Sequence, residues 1–452
     1  MIKYLKYIPP EYVAQKLKTM DGFLWLDSSL SCSYGRLSFI AVEPFLKFTC
    51  KKTRVEIREK KHFKVFDGEP LETLRNLLKK YKAKYKGIPF YGGAAGFLSY
   101  DLCHQIENLP DISKDDMEIP DIYLGFYDIV LGWDNLKKKF WIVNAGFSQH
   151  SEEQFKRIID VVIKQEKPFF KKTMATGKKT KNLISCFTKT DYIKSIEKLK
   201  EYIYAGDVYQ VNLSQRLHCK TDKEPFEIYS ILRNVNSAPY SAYIEHLDFQ
   251  VLSSSPECFL IYNPETRILQ TRPIKGTLPR GKNEKQDKML AKKLTRSAKD
   301  RAEHIMIVDL ERNDLGRVCE NKSVRVKKNM EVEKYAKVWH LVSTVQGKVK
   351  KNCDRIDILK ATFPGGSITG APKIRSMQII EEMEPFKRGI YTGSIGYLGF
   401  SGDMELSIAI RTMITKNNKI YFSVGGGIVA DSKPYLEYKE TFYKAEAMIK
   451  AI

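Results

Sequence analysis

Between residues 393 and 424 this chain reads as one strand after another with little between them. Residues 393–400, 404–415 and 419–424 form a strand-rich block, and Asn417-Asn418 fits a hairpin turn between the last two. Consecutive hairpins imply antiparallel sheets rather than the parallel sheet of a dinucleotide-binding fold. The same pattern appears earlier. Residues 208–218, 241–244, 250–253 and 259–262 read as strands, and 191–205 as a helix capped by Thr190 with Gly206 past its end. The fold class expected is therefore α+β, with antiparallel sheets flanked by helices.

The first 166 residues are mixed. Residues 22–28 and 36–57 read as strands, and 71–85 carries helical spacing through Leu71, Leu74, Leu77, Leu78 and Tyr81. Residues 122–133 and 139–143 read as a hairpin across Asp134-Asn135. Residues 151–165 read as a helix with Ser151 as N-cap. Residues 167–183 are lysine-rich, with Pro168 and Gly177, and suggest an exposed linker. This divides the chain into 1–166, the linker 167–183, and 184–452.

Composition narrows the function classes. At 452 residues and 43% hydrophobic content, the chain can bury a large core. No apolar run approaches the ~20 residues of a membrane span, and the N-terminus lacks a signal-peptide pattern, so a soluble cytoplasmic protein is expected. The 8 cysteines are scattered singly and the 7 histidines do not cluster, which argues against a zinc site or redox dithiol. The net charge of +22 permits a nucleic-acid partner. The lysines, however, are spread along the whole chain and no recognition motif accompanies them, so a basic surface is the better reading.

Several residues carry possible chemistry. Lys275 lies in Thr271-Arg272-Pro273-Ile274-Lys275-Gly276-Thr277, where a strand-like run ends, and Gly276 lets backbone approach a ligand closely. Glu437 and Glu440 share a helix face, with Lys444 four residues on. Glu303 sits in a second helical stretch. Carboxylates from two helices suit Mg²⁺, a hard cation that prefers oxygen ligands. Spacing alone fits solvated surface glutamates better. Gly425-Gly426-Gly427 follows the 419–424 strand and reads either as a tight turn or as an anion cradle. Arg411 offers a planar fork for a carboxylate. Tyr397 and His340 fit either core or site positions, and Glu257 either a strand-end glutamate paired to a surface lysine or a site acid.

These residues occur in segments that together resemble the chorismate-utilising enzymes. The segments are Pro273 to Thr277, Ser297 to Glu303, Phe363 to Lys373, Gly393 to Tyr397, Ile410 to Thr412, Gly425 to Ile428 and Glu437 to Thr441. Weaker matches precede them at Val42-Glu43-Pro44 and Gly92 to Asp101. The resemblance implies two large antiparallel sheets packed on each other. It implies that Glu303 and Glu440 hold Mg²⁺ with support from Glu437, and that Tyr397, Arg411 and Gly425 to Gly427 surround the enolpyruvyl carboxylate of chorismate. Gly276, Thr277, Ser367 and Lys444 complete the expected substrate contacts. It implies Glu257 as general acid and His340 as an active-site histidine.

Lysine at position 275 is similar to the family members that aminate chorismate at C4, where those that aminate at C2 and release pyruvate carry alanine. The implied route is covalent: Lys275 attacks C2 as the 4-hydroxyl leaves with a proton from Glu257, and ammonia then attacks C4 and expels the lysine. Members that use water as nucleophile activate it with a lysine at the position of Gln210, and glutamine cannot serve as that base. The last motif lies close to Ile452, so ammonia is expected from a separate glutamine amidotransferase subunit. Ser28, Arg36, Pro239, Tyr240 and Ser241 outline the tryptophan pocket that some relatives keep.

Overall fold

The computed structural model describes residues 1–59, 62–84, 87–164, 182–335 and 337–452. Nearly all of the expected linker 167–183 lies outside the described residues. Two twelve-stranded sheets form the framework, and the strand pairs within both are antiparallel. The first sheet runs from Ile2–Leu5 at one edge, through Leu24–Asp27, Tyr240–Glu245 and Gln250–Ser255, to Thr412–Lys416, Lys419–Ile428 and Gln210–Lys220. The second runs from Ile274–Pro279 and Val338–Lys348, through Cys258–Asn263, Met404–Ile408 and Ser394–Gly399, to Phe63–Asp67. Both sheets draw strands from either side of residues 167–183. The division at 1–166 and 184–452 is thus one of sequence, while in space the two segments share both sheets.

Three apolar layers hold this together. Phe39, Phe97, Tyr127, Val130, Ile395 and Tyr397 pack between the sheets. The helices Pro10–Leu17, Ser151–Ile163, Pro225–Val235 and Pro434–Ala451 cover the first sheet. The helices Pro70–Lys80, Lys189–Tyr204, Ala298–Val318, Arg355–Thr362 and Lys373–Met383 contribute to the third cluster, centred on the second sheet. Each large side chain fully buried here stabilises the fold by about 1.5–3 kcal/mol before entropy is counted.

Several local expectations are corrected. Residues 122–133 are not one strand: Ile122–Tyr127 belongs to the second sheet and Ile129–Asp134 to the first. The chain changes sheets at Asp128, a buried residue whose carboxylate accepts from Phe147 N at 2.9 Å and Ser148 N at 2.6 Å. Residues 404–415 divide in the same way into Met404–Ile408 and Thr412–Lys416. A continuous strand-like pattern cannot reveal such a switch, because the residues on both sides of it keep strand character. The cap of the Lys189–Tyr204 helix is Thr188, whose hydroxyl accepts from Asp191 N, and not Thr190. Ser151 is the first helical residue rather than the cap, and its predecessor His150 caps without a side-chain bond. Asn417 and Asn418 do form a two-residue turn, with φ of 52° and 57° and Lys416 facing Lys419.

Candidate active site

Two crossings between the sheets lie side by side. The chain leaves the first sheet after Gln250–Ser255 and enters the second at Cys258, with Pro256-Glu257 between. It returns through Ala409 to Arg411 before Thr412–Lys416. The crossings are stitched by Ile408 N donating to Glu257 O at 3.1 Å and Ser254 N donating to Arg411 O at 3.1 Å. Arg411 takes φ 52°, a left-handed conformation costly for an arginine. The crossings thus bring an acid and a guanidinium to neighbouring positions.

Lys275 comes from the strand Ile274–Pro279, at the edge of the second sheet. It faces Leu341 while Thr277 faces His340, so the register slips at Gly276. Gly276 has φ 78°, and a Cβ there would lie 3.1 Å from Leu294 Cδ1, so this bulge requires glycine. Lys275 is half-buried and makes no hydrogen bond or ion pair among the described residues. Burial lowers its pKa and Lys444 lowers it further, while Glu303, Glu257 and Glu440 oppose. The net direction is down, toward the neutral amine that a nucleophile requires.

Glu257 is 5% exposed. Burial pushes its pKa up to about 6, against hydrogen bonds from Ser367 and Ile274 N and the charge of Lys275. A carboxyl titrating near 6 is about one-tenth protonated at pH 7, against well under one-hundredth for an ordinary one. That makes it competent as an acid. Ser367 lies on the 3-10 turn Gly366–Ile368, reached through the Phe363 to Gly365 segment. His340 accepts from or donates to Thr277 Oγ1 through Nδ1 at 2.8 Å. Burial, then the Arg411 charge, hold it down to about 3, so it stays neutral near pH 7.

The acids arrive on two helices. Ala298–Val318 packs on Ile274–Pro279 and presents Glu303, while Pro434–Ala451 packs on Lys419–Ile428 and presents Glu437, Glu440 and Lys444. Burial raises Glu303 and Glu437; for Glu440 burial is outweighed by Lys444, Lys275 and Lys299, and its pKa falls. Lys444 bonds Glu440 at 2.7 Å and Gly425 O at 2.9 Å. Glu437 accepts from Ser432 Oγ at 2.8 Å, and Glu303 lies 3.8 Å from Lys299. The three glutamates do not form a closed cage. The described residues whose ligand atoms fall within 4.8 Å of one another are His104, Asp111 and Glu381, and Lys387 Nζ already pairs with both acids there at 2.7 and 2.5 Å.

Gly425 to Gly427 correct another expectation. They are not a turn after the strand but lie inside Lys419–Ile428, paired with Ser214, Leu213 and Asn212. Their function is space. A Cβ on Gly425 would lie 2.4 Å from Leu213 O, and one on Gly427 would lie 2.8 Å from Gln210 Cδ. A Cβ on Gly426 would point at Lys444 Nζ, Glu440 and Glu437, at 3.4–3.7 Å. The side chain of Gln210 is buried with neither amide atom bonded among the described residues.

Tyr397 is elsewhere. It stacks on Phe90 at 4.5 Å between the sheets and lines a cavity of roughly 400 Å³, counting its open mouth. The tyrosine beside Arg411 is Tyr391, which is 7% exposed and whose charge acts on that guanidinium. Sequence reasoning missed it because Tyr391 precedes its strand, and only the return crossing brings it to Arg411. The Tyr397 cavity is also lined by Ser28, Pro239, Tyr240, Ser241 and Glu405. Arg36 does not line it and pairs instead with Asp134.

The fold and this grouping of residues define a chorismate-utilising enzyme. The chorismate binding enzyme family model matches residues 25–450, and the chain belongs to that family. It is 40% identical over 422 residues to aminodeoxychorismate synthase component 1 of Bacillus subtilis, covering 92% of this chain and 89% of that protein. It is 41% identical over 429 residues to anthranilate synthase component 1 of Aquifex aeolicus, covering 93% and 86%. Anthranilate synthase component I of Streptococcus pneumoniae superposes with a TM-score of 0.82 at 34% identity, covering 92% of each chain. Among the described residues, no helix is long and apolar enough to cross a membrane.

Proposed function

We propose that this chain is a synthase component that aminates chorismate at C4, giving 4-amino-4-deoxychorismate for 4-aminobenzoate and folate synthesis. The observation that carries the reading is Lys275: a half-buried amine, unpaired among the described residues, held by a glycine bulge beside a raised acid. Lys275 attacks C2 of chorismate, both conjugated ring double bonds shift by one position toward C4, and the C4–O bond breaks. Glu257 supplies the proton with which the hydroxyl departs as water. Ammonia then attacks C4, both double bonds shift back, and the lysine leaves C2 as the amine. Arg411 and Tyr391 suit the enolpyruvyl carboxylate, since Arg411 has no ion-pair partner among the described residues. His340, fixed by Thr277, borders the ring site as a neutral group.

Glu303, Glu437 and Glu440 would hold Mg²⁺, and the fit is chemical: three oxygen donors on two helices, two of them raised by burial and by the charge of Glu440. When bound, the metal would offset that repulsion and attract a substrate carboxylate. Ammonia would come from a separate glutamine amidotransferase subunit, in the cytoplasm. The cavity beside Ser28, Pro239, Tyr240 and Ser241 would take tryptophan, with Glu405 facing its ammonium.

Amination at C2 is the second reading, supported by the 41% identity to an anthranilate synthase component. Mass spectrometry after incubation with chorismate, Mg²⁺ and an ammonium salt separates the two. Aminodeoxychorismate is the expected product, and glutamine alone should not replace ammonium. Anthranilate with pyruvate as the principal products would reject the C4 assignment.

A further inference from the structure

The Ala298–Val318 helix continues its buried face past Glu303 through Ile307, Glu311 and Asp314. Glu311 is 2% exposed. Its Oε1 accepts from Gly366 N at 3.0 Å, and its buried Oε2 has no hydrogen-bond partner among the described residues. Holding a charge on an oxygen so placed costs several kcal/mol unless a cation answers it. The cation at hand, Lys373, is bonded to Asp314 and to Thr362 O. Burial, then Asp314, raise the Glu311 carboxyl against Lys373, so it favours the protonated form.

Gly366 opens the short turn that carries Ser367, and Ser367 is a hydrogen-bond partner of Glu257. The turn rests directly on the helix: a Cβ on Gly366 would lie 2.7 Å from Leu310 Cδ2 and 3.1 Å from Glu311 Oε1. A single buried carboxyl thus sits one backbone bond from the residue that contacts the acid. We propose that Glu311 is a positioning residue: it seats the Gly366–Ile368 turn that brings Ser367 to Glu257. This rests on the reading of Glu257 as the general acid.

The charged groups facing Glu311 are Asp314 on its own helix, Lys373 on the Lys373–Met383 helix and Glu257 at the crossing. Glu257 is among the charges that raise Glu311, whereas Glu311 is not among the groups acting on Glu257, so it reaches that acid through the turn and Ser367. Lys275 acts on Glu257 but is not among the groups acting on Glu311.

The test is the pH profile of kcat/KM for chorismate in Glu311→Gln, Glu311→Ala and Glu257→Gln, with Mg²⁺ and ammonium. Glutamine keeps the acceptor for Gly366 N but cannot ionise. Glu311→Gln should therefore keep the turn seated, with kcat and KM within about threefold of the wild type. Glu311→Ala loses the seat, and its kcat should fall about tenfold or more. Its limb for Glu257 should move to higher pH, because the Ser367 hydrogen bond that holds that carboxyl down is lost. Should alanine prevent folding, Glu311→Met, which fills the space without an acceptor, takes its place. A profile of the alanine or methionine variant that overlays the wild type, beside an inactive Glu257→Gln, overturns the role of Glu311 and leaves the general acid standing. Wild-type activity in Glu257→Gln overturns both.

Discussion

In the groove between the Ala298–Val318 and Pro434–Ala451 helices, Lys275 sits among Glu257, Glu303, Glu440 and Lys444. In the cavity between the sheets, Glu405 faces Ser28, Tyr240 and Tyr397, and no hydrogen bond or ion pair reaches it among the described residues. The groove leaves half of the Glu440 side chain exposed, yet both places shift the groups they hold. Burial lifts Glu405 to about 7 and Asp403 adds to it, with no cation opposing. In the groove, burial competes with charges of both signs, so the amine goes down, Glu257 goes up and Glu440 goes down. Interleaved charges let neighbouring groups of one site move in different directions, as proton transfer beside a nucleophile requires. A lone acid with no cation beside it moves in one direction only, toward the protonated form.

Substitutions break this comparison in graded steps. Lys275→Ala should have the largest effect: C4 amination should fall by about a thousandfold or more, since alanine offers no nucleophile. Binding should survive, because Arg411 and the acids remain, and some C2-aminated product should appear. Intact-mass analysis of the wild type during turnover should place an adduct on the peptide containing Lys275. Full aminodeoxychorismate synthesis by the alanine variant would be decisive against a covalent lysine.

The acids of the groove should come next. Glu303→Gln and Glu440→Gln each remove a charged oxygen but keep side-chain volume, and each should raise the Mg²⁺ concentration for half-activity by about tenfold or more. Circular dichroism should report an unchanged fold. Magnesium titrations that match the wild type would return both residues to the role of surface charges.

The smallest catalytic effect should come from the cavity. Glu405→Gln should leave kcat near the wild-type value, because the groove does not use Glu405. Its signature is stability against pH. The native carboxyl titrates near 7 and the unfolded one near 4.5. Between those values the unfolded chain loses its proton first, so wild-type stability should fall as pH rises across that window. The glutamine variant should show a shallower decline in urea unfolding measured from pH 4 to 8, since the raised carboxyls of Glu257 and Glu311 remain. A parallel decline in both proteins would mean that Glu405 is not held protonated.

Parts of the candidate site were legible because local chemistry dictated them. Pro273 to Thr277 announces a special backbone, and the structure spends it on a positive-φ glycine that sets the register of Lys275. Glu437, Glu440 and Lys444 share one side of a helix whatever the helix packs against. Tyr397 was misplaced and Tyr391 missed for one reason: sequence spacing does not say which sheet a strand joins. Gly425 to Gly427 look like a turn in any alphabet of local preferences. Their strand character comes from the Gln210–Lys220 partner more than 200 residues earlier in the chain.

The chain alone determined the alternation of strands and helices, the antiparallel class and the residue types able to do this chemistry, because periodicity, turn residues and capping act over a few positions. Tertiary structure decided which strands change sheets, and so set the crossings that carry Glu257 and Arg411 side by side and brought Tyr391 to Arg411. It also decided the direction in which Lys275 and Glu257 titrate. Burial and the charges from distant helices set those energies, and neither is a property of the neighbouring sequence.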